Sequence, residues 1–345
     1  MKNKITIDTP RISVIMPVFN GGEFLQESID SILKQTFKDF EFLIGDDGST
    51  DNTQQILQSQ KDPRIKLFRN HKNLGIAETL NILIDSSKGE YIARQDCDDI
   101  SLPLRFRKQV TFLEKNSEIG LCGTFVKFFG HKKMRLLRPI HDDEIKAFML
   151  IGNPITHPTV MLRRSVLEKL EFSRYDQSKF PAEDYAFWFE FSRKTKLANL
   201  PEILLKYRWH KKNISTTQDK DQIRKCDQIR TNVFSKTLSH NLSDEETHLI
   251  NTLYNPNFQN LKELTAFESL LLKVIEKNRN TNYYNDHALK KYLFYLWMSA
   301  CFNTAQISLN QKVNLLYTSD LFNFEGLVNY ISWKNIYSSI YNRLH

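Results

Sequence analysis

The chain has 345 residues with 41% hydrophobic and 26% charged side chains, the balance of an ordinary globular protein, and its length suits a large domain plus an appendage. It has no signal-peptide core and no run of about 18 apolar residues, so we expect a cytoplasmic protein without a membrane span. The formal net charge of +8 favours a polyanionic partner, but no helix-turn-helix, RNA-binding or zinc-finger pattern accompanies it, and nucleic acid is not expected.

Strand and helix patterns alternate along the first hundred residues. Short apolar runs predict strands at 12–17, 40–45, 65–68 and 91–93, and amphipathic helices follow the first three of them. Alternation at this spacing predicts an α/β fold with a Rossmann-like, mostly parallel sheet and helices on both faces. Neither GxGxxG nor GxxxxGK[ST] is present. A nucleotide would therefore bind through its base and ribose, with a metal holding its phosphates.

Three carboxylates follow the fourth predicted strand. Asp96, Asp98 and Asp99 stand within four residues, just before Pro103 begins a helical pattern. Because neighbouring carboxylates repel one another, a protein that keeps them together usually supplies a hard divalent cation. Ligands also bind at the carboxyl ends of strands in open α/β sheets. The alternative is a solvated acidic turn that caps the following helix.

Three other positions carry candidate chemistry with a plainer alternative. Asp47 leaves the second strand and suits a hydrogen bond to a base or ribose, or else an Asx-turn before Gly48. His157 lies in a proline-bounded loop, where it would contact a sugar or phosphate or be satisfied by the backbone. Glu183 and Asp184 open an aromatic-rich helix, either as a favourable N-terminus or as a base whose pKa the aromatic surroundings raise.

The rest of the chain continues these patterns and then changes character. A helix to about residue 115 is followed by predicted strands at 119–126, 159–162 and 204–208, with a basic, turn-like stretch at 127–138. Beyond residue 216 the patterns at 261–275 and 289–300 are helical, so we divide the chain into domains at 1–216 and 217–345. Basic and aromatic residues mix at 290–298 and 329–337. This suits peripheral contact with the inner face of the cytoplasmic membrane or a homo-oligomer interface, although core-facing helices are the commoner explanation.

Six segments in a fixed order carry a resemblance to a known family: PVFNGGEFLQESIDSILKQTF, FLIGDDGSTDNT, NLGIAETLN, GEYIARQDCDDISLPLRFRKQ, NPITHPTVM and AEDYAFW, the last followed by LPEILLKYRWH. Together they resemble the family 2 glycosyltransferases, which have a GT-A fold. The resemblance covers roughly residues 10 to 216. The layout of the last two segments is most similar to bacterial enzymes that build lipooligosaccharide or capsular glycans.

The resemblance implies a role for each matching residue. Asp47 matches the acid that contacts uracil, Asp96 to Asp98 match the DxD motif, and Asp184 matches the catalytic base. Asp98 and Asp99 are assigned to metal and ribose contacts, and His157 and Glu183 are assigned to the acceptor or a phosphate. The remaining donor-side positions are Pro17, Val18, Asn20, Asp96 and Arg105, the last in a P-x-R segment that braces the site.

These roles imply an inverting transferase. Mn²⁺ or Mg²⁺ on the carboxylates would neutralise the leaving diphosphate, and one base on the opposite face of the sugar would activate an acceptor hydroxyl. The expected partners are a UDP-sugar and a glycan or lipid-linked oligosaccharide acceptor. A sugar nucleotidyltransferase and a non-catalytic scaffold of the same fold are the alternatives.

Overall fold

The computed structural model describes residues 9–170, 174–217, 219–252, 258, 260–304 and 307–321. The chain divides into two compact units, Met1–Ile140 with Ile155–His210, and His141–Pro154 with Lys211–His345. The sequence-based division at residue 216 gave no sign that 141–154 joins the second unit. The acceptor, membrane and oligomerisation roles suggested for the C-terminal region stay predictions.

One mixed sheet forms the centre of the first unit. Its strands are β1 (Ile12–Val18), β2 (Phe40–Asp46), β3 (Ile65–Arg69), β4 (Tyr91–Arg94), β5 (Ile100–Ser101), β6 (Ile119–Gly130), β7 (Arg135–Leu136), β8 (Met161–Arg163) and β9 (Lys196–Trp209). The strand order is β3-β2-β1-β4-β8-β6-β9-β5, with β7 paired to β6. The first four run parallel, as predicted, whereas β8 is antiparallel to both β4 and β6. The α/β class is confirmed.

Six α-helices and two 3₁₀ turns complete the described part of this unit. The helices are α1 (Leu25–Leu33), α2 (Thr53–Gln58), α3 (Ile76–Ser86), α4 (Arg105–Lys115), α6 (Arg164–Leu167) and α7 (Glu183–Ser192), and the turns are His157–Thr159 and Gln177–Lys179. Every residue of β1 and β2 is buried. This is why these strands are mostly apolar with no alternation. The polar exceptions Ser13 and Glu41 are buried as a pair, because the Ser13 hydroxyl donates to Glu41 Oε1 at 2.5 Å.

Three sequence-based boundaries were wrong for identifiable reasons. The last strand begins at Lys196, eight residues before the predicted start, because the β6–β9 register skips Pro201 and Glu202 as a bulge that interrupts the apolar pattern. The stretch predicted as basic and turn-like at 127–138 is largely a hairpin of β6 and β7. At Gly130 the backbone φ is +89° and a Cβ would lie 2.6 Å from the Trp209 carbonyl oxygen, so the position requires glycine. The strand predicted at 159–162 begins as a 3₁₀ turn.

The described part of the second unit is helical, as predicted. It contains α5 (Asp142–Phe148), α8 (Ile214–Thr217), α9 (Asp219–Leu238), α10 (Asp244–Asn251), α11 (Leu261–Thr281), α12 (Asp286–Asn303) and α13 (Leu309–Thr318). Lys291 of α12 forms an ion pair of 2.6 Å with Glu144 of α5, which helps to hold 141–154 in this unit. None of the described helices is long and apolar enough to cross a bilayer. The aromatic segment at 329–337 lies outside the described residues.

Candidate active site

The three carboxylates predicted as a metal site come together in the loop between β4 and β5. One ligand oxygen from each of Asp96, Asp98 and Asp99 lies within 4.8 Å of the others. Asp99 is 1% exposed, and its Oδ2 is buried without a hydrogen-bond partner in the described structure. Burial, and then the charges of Asp98 and Asp96, raise the pKa of Asp99 well above its usual value. A buried carboxylate oxygen among like charges fits a hard divalent cation, which would both neutralise and coordinate it.

The end of β9 holds this loop from the other side. The Arg208 backbone N–H donates to Asp99 Oδ1 at 2.8 Å, and its Nε donates to the Asp98 carbonyl at 2.8 Å. His210 Nε2 lies 2.9 Å from Asp98 Oδ2. These contacts follow from the antiparallel pairing of β5 with β9, in which Ile100 faces Lys206. The geometry of the carboxylates therefore depends on residues about 110 positions later in the chain.

A buried arginine links the acid cluster to a second set of carboxylates. Arg94, at the end of β4, is 3% exposed and forms an ion pair with Asp96 Oδ2. Burial and the charge of Asp98 raise the pKa of Asp96 to about 6, although Arg94 lowers it. The charge of Arg94 also lowers the pKa values of Glu183 and His157. These effects require Arg94, the acid cluster and the start of α7 to lie within electrostatic reach of one another.

Glu183 and Asp184 occupy the first turn of α7 in different environments. The Glu183 side chain is 7% exposed and that of Asp184 is 18% exposed. Burial, followed by the charge of Asp184, raises the pKa of Glu183 to about 8, and its Oε2 is buried without a hydrogen-bond partner in the described structure. At neutral pH the native protein therefore holds Glu183 mostly as the neutral acid. Asp184 is the more accessible carboxylate of the pair.

His157 faces these two carboxylates. Its Nδ1 lies 4.0 Å from Glu183 Oε1 and 3.9 Å from Asp184 Oδ2, and its Nε2 lies 2.9 Å from the Tyr175 hydroxyl. Burial, and then the charge of Arg94, lower the pKa of His157 well below its usual value, so the imidazole is neutral. Nε2 is thus within hydrogen-bond distance of Tyr175, whereas the carboxylate oxygens near Nδ1 lie beyond that distance. The predicted contact of His157 with the acceptor or a phosphate stays a prediction.

Arg105 is fully buried and contacts residues on both sides of the acid cluster in the sequence. Its Nη2 donates to the carbonyls of Arg94 and Val160 at 2.7 and 3.3 Å, and its other N–H groups donate to Gln95, Ser101 and Gln109. A guanidinium has five N–H donors, and all five are engaged within the protein. These contacts suit the bracing role implied for this residue, and its assignment to the donor-binding set stays a prediction.

The remaining predicted donor residues lie at the ends of β1 and β2. Pro17 and Val18 are buried within β1, opposite Gly45 and Asp46 of β2. Asn20, with φ of 51°, accepts a hydrogen bond from the Thr50 backbone at 2.9 Å. Asp47 is 4% exposed and accepts from the backbone N–H groups of Leu74 and Gly75 at 2.8 and 2.9 Å. Its carboxylate thus orders the loop before α3, in addition to any contact with a base.

Comparison with known proteins decides the family. The model of glycosyl transferase family 2 matches residues 13–171. An uncharacterized glycosyltransferase of Haemophilus influenzae is 38% identical over 229 residues, which cover 62% of this chain and 70% of that protein. The chain belongs to glycosyl transferase family 2. A second relative, the O-antigen biosynthesis glycosyltransferase WbnJ of Escherichia coli, is 34% identical over 212 residues, covering 59% of this chain and 81% of WbnJ.

Solved structures confirm the predicted fold of this family 2 glycosyltransferase. Residues 1–349 of S. aureus TarS in complex with UDP-GlcNAc superpose with a TM-score of 0.55 at 16% identity, covering 84% of this chain and 87% of that one. The mannosyltransferase PcManGT of Pyrobaculum calidifontis, in complex with GDP-Man and Mn²⁺, gives a TM-score of 0.53 at 15% identity, covering 97% and 85%. At these identities the likeness shows the α/β, GT-A-like fold alone.

Four residues of the candidate site were not among the sequence-based candidates: Arg94, Tyr175, Arg208 and His210. Arg94 closes a predicted apolar strand two residues before the first acid, a spacing that could have suggested an ion pair. Arg208 and His210 end a predicted strand, but their contact with the acids depends on a long-range strand pairing. Nothing in the local pattern around Tyr175 indicates its contact with His157.

Proposed function

We propose that this family 2 glycosyltransferase moves GlcNAc, GalNAc, Gal or Glc from a UDP-sugar to a hydroxyl group of a growing surface glycan, with inversion at the anomeric carbon and dependence on a divalent metal. The observation that carries the proposal is the presence of two distinct carboxylate sets within one unit. The charge of Asp184 raises the pKa of Asp96, and the charge of Asp96 raises that of Glu183. One set suits a metal and the other suits a base, within reach of a single substrate.

On the donor side, Asp98 and Asp99 would hold Mn²⁺ or Mg²⁺. The metal, when bound, would supply positive charge to the diphosphate that leaves the sugar. Support comes from TarS, solved with UDP-GlcNAc, and from PcManGT, solved with GDP-Man and Mn²⁺, which have the same fold. We assign the uridine to the loops at the ends of β1 and β2, where Asn20 and Asp47 lie. Arg208 holds the acid cluster in place, and Arg105 braces the residues on either side of it.

On the acceptor side, Asp184 takes the proton of the acceptor hydroxyl. The acceptor oxygen forms a bond to the anomeric carbon while the bond from that carbon to the diphosphate oxygen breaks, and the nucleoside diphosphate leaves. Because neutral Glu183 leaves a single negative charge in this pair, only Asp184 is poised to accept a proton. A single displacement by an attacking hydroxyl opposite the leaving group inverts the anomeric configuration. His157 positions the carboxylate pair.

The nature of the acceptor is supported by a relative. WbnJ, similar over 81% of its length, is named for O-antigen biosynthesis. A surface glycan such as lipooligosaccharide or capsule is therefore the acceptor class that we propose. Membership of the family favours glycosyl transfer over the sugar nucleotidyltransferase and scaffold alternatives.

The test is a donor screen with the full chain. Binding and slow hydrolysis of UDP-GlcNAc, UDP-GalNAc, UDP-Gal, UDP-Glc, GDP-mannose and dTDP-glucose are measured with Mn²⁺, with Mg²⁺ and with EDTA. We expect one UDP-sugar to be selected and EDTA to abolish its hydrolysis. Selection of a non-uridine donor, or hydrolysis that persists in EDTA, would contradict the donor or the metal assignment. A product that retains the donor's anomeric configuration would exclude the single displacement.

A further inference from the structure

Three neighbouring strands of the first unit place three cations side by side. Arg135 of β7 pairs with Lys127 of β6, and Lys127 pairs in turn with Lys206 of β9. All three side chains are exposed. We call Arg135, Lys127 and Lys206 the cationic row. Adjacent strands are about 4.8 Å apart, so the three attachment points span only about 10 Å.

The described structure offers these charges no compensation. Within the described residues, Arg135, Lys127 and Lys206 form neither an ion pair nor a side-chain hydrogen bond. The stretch from residue 127 to 138 contains five Lys or Arg residues and no Asp or Glu. Like charges directly opposite each other on adjacent strands destabilise a sheet. The cationic row therefore costs stability in the isolated protein, and this cost is offset if an anion binds there.

The face that carries the cationic row leads to the acid cluster. Successive residues of a strand point to opposite faces, so Phe129 and Arg208 share the face of Lys127 and Lys206. The Arg208 guanidinium lies 4.4 Å from the centre of the Phe129 ring, and its Nε donates to the Asp98 carbonyl at 2.8 Å. The other face of these strands is core, where Val126 and Leu205 are fully buried. An anion bound to the row would therefore lie on the same face of the sheet as Arg208, which contacts the acid cluster.

We propose that the cationic row binds phosphate groups of an anionic acceptor and holds that acceptor beside the donor sugar. This inference rests on the proposed function, because it assigns the row to the acceptor of that reaction. The donor's own diphosphate is already assigned to the metal at Asp98 and Asp99, so the row is available to a second ligand. A lipid surface fits less well, since Leu137 is the one large apolar side chain of 127–138 that is more than about a third exposed.

Binding is tested on the full chain with inorganic tripolyphosphate, by calorimetric titration in EDTA without donor. EDTA prevents phosphate from binding through a metal at the acid cluster. The triple variant Lys127→Gln, Arg135→Gln, Lys206→Gln is compared with a control in which three exposed lysines elsewhere are neutralised: Lys115→Gln, Lys169→Gln and Lys194→Gln. Both variants lose the same net charge. We expect the row variant to bind at least about tenfold more weakly, on the scale of three exposed ion pairs, and the control to change by less than about twofold.

Three outcomes would overturn the inference. Equally weakened tripolyphosphate binding in both variants would show that net charge alone attracts the anion. If the wild type does not bind tripolyphosphate, the row is not an anion-binding site. If phosphatidylglycerol vesicles bind through the row whereas tripolyphosphate does not, the row is a membrane surface and not an acceptor site. Donor hydrolysis by the wild type is measured separately. Its absence would count against the proposed function, and the metal-free titration would still report on the row alone.

Discussion

Replacing Glu183 with glutamine tests whether this buried carboxyl is neutral in the native enzyme. Burial and the charge of Asp184 raise its pKa from 4.5 to about 8. Between these values the folded chain keeps a proton that the unfolded chain has released, so stability is fully present below pH 4.5 and is lost as pH rises towards 8. Each pH unit costs at most about 1.4 kcal/mol, so wild type loses about 3 kcal/mol between pH 5 and pH 7 through this group.

Glu183→Gln removes that loss while it preserves the size and neutrality of the side chain. We therefore expect the stability of the variant, relative to wild type, to increase by about 3 kcal/mol between pH 5 and pH 7, a large share of a typical 5–15 kcal/mol. Urea denaturation followed by tryptophan fluorescence measures the difference. Trp188, on the same helix, is fully buried and packs against His157. Glu190→Gln, on the partly exposed end of α7, is the matched control. A relative stability of Glu183→Gln that does not change with pH would mean that Glu183 is ionised in the native state, and our division of roles with Asp184 would fail.

Three further changes test the other parts of the site. Asp184→Asn should lower kcat about 10²–10⁴-fold, whereas Glu183→Gln keeps most of the activity; equal loss in both would contradict a single base. Wild type should gain about 2.7 kcal/mol of stability at Mn²⁺ concentrations 100-fold above Kd, and Asp99→Asn should lose most of this gain in thermal unfolding with and without EDTA. His157, whose pKa is lowered by burial, stabilises the fold above about pH 6.5 and loses that contribution as pH falls, by at most about 1.4 kcal/mol per unit. His157→Gln should flatten this dependence relative to wild type, and an unchanged slope below pH 6 would show that the imidazole is not buried neutral.

The first half of the fold could be predicted because its pattern is local. The strands from β1 to β4 are short and mostly apolar, and the helices that follow the first three have their own apolar positions and turn residues. The second half could not be predicted so well. The β6–β9 pairing joins two strands, Ile119–Gly130 and Lys196–Trp209, that are far apart in the sequence, and it contains a bulge at Pro201. Such long-range pairings leave little trace in local periodicity.

The candidate site, like the fold, could be predicted from the sequence only in part. Asp96, Asp98 and Asp99 were predictable because three acids at a strand end leave a signal in the sequence. The hydrogen bonds that hold Asp98 and Asp99 in place were not predictable, since they come from Arg208 and His210 at the far end of β9. The aromatic helix indicated a raised pKa for a carboxylate at its start, but not that Glu183 would have it. The raised pKa depends on burial and on the neighbouring Asp184, and burial is a tertiary property.

The placement of Arg208 connects one strand, β9, to both the proposed donor site and the proposed acceptor site. Its backbone and side chain hold Asp99 and Asp98, and its guanidinium extends to Glu27 across the ring of Phe24. Two residues earlier, Lys206 belongs to the cationic row that we assign to the acceptor. A strand that pairs through Ile100 with the acid-bearing loop thus fixes the distance between the proposed donor and acceptor sites. We therefore expect substitutions in the hairpin of β6 and β7 to alter acceptor choice while the acid cluster stays in place, because β9 lies between that hairpin and β5.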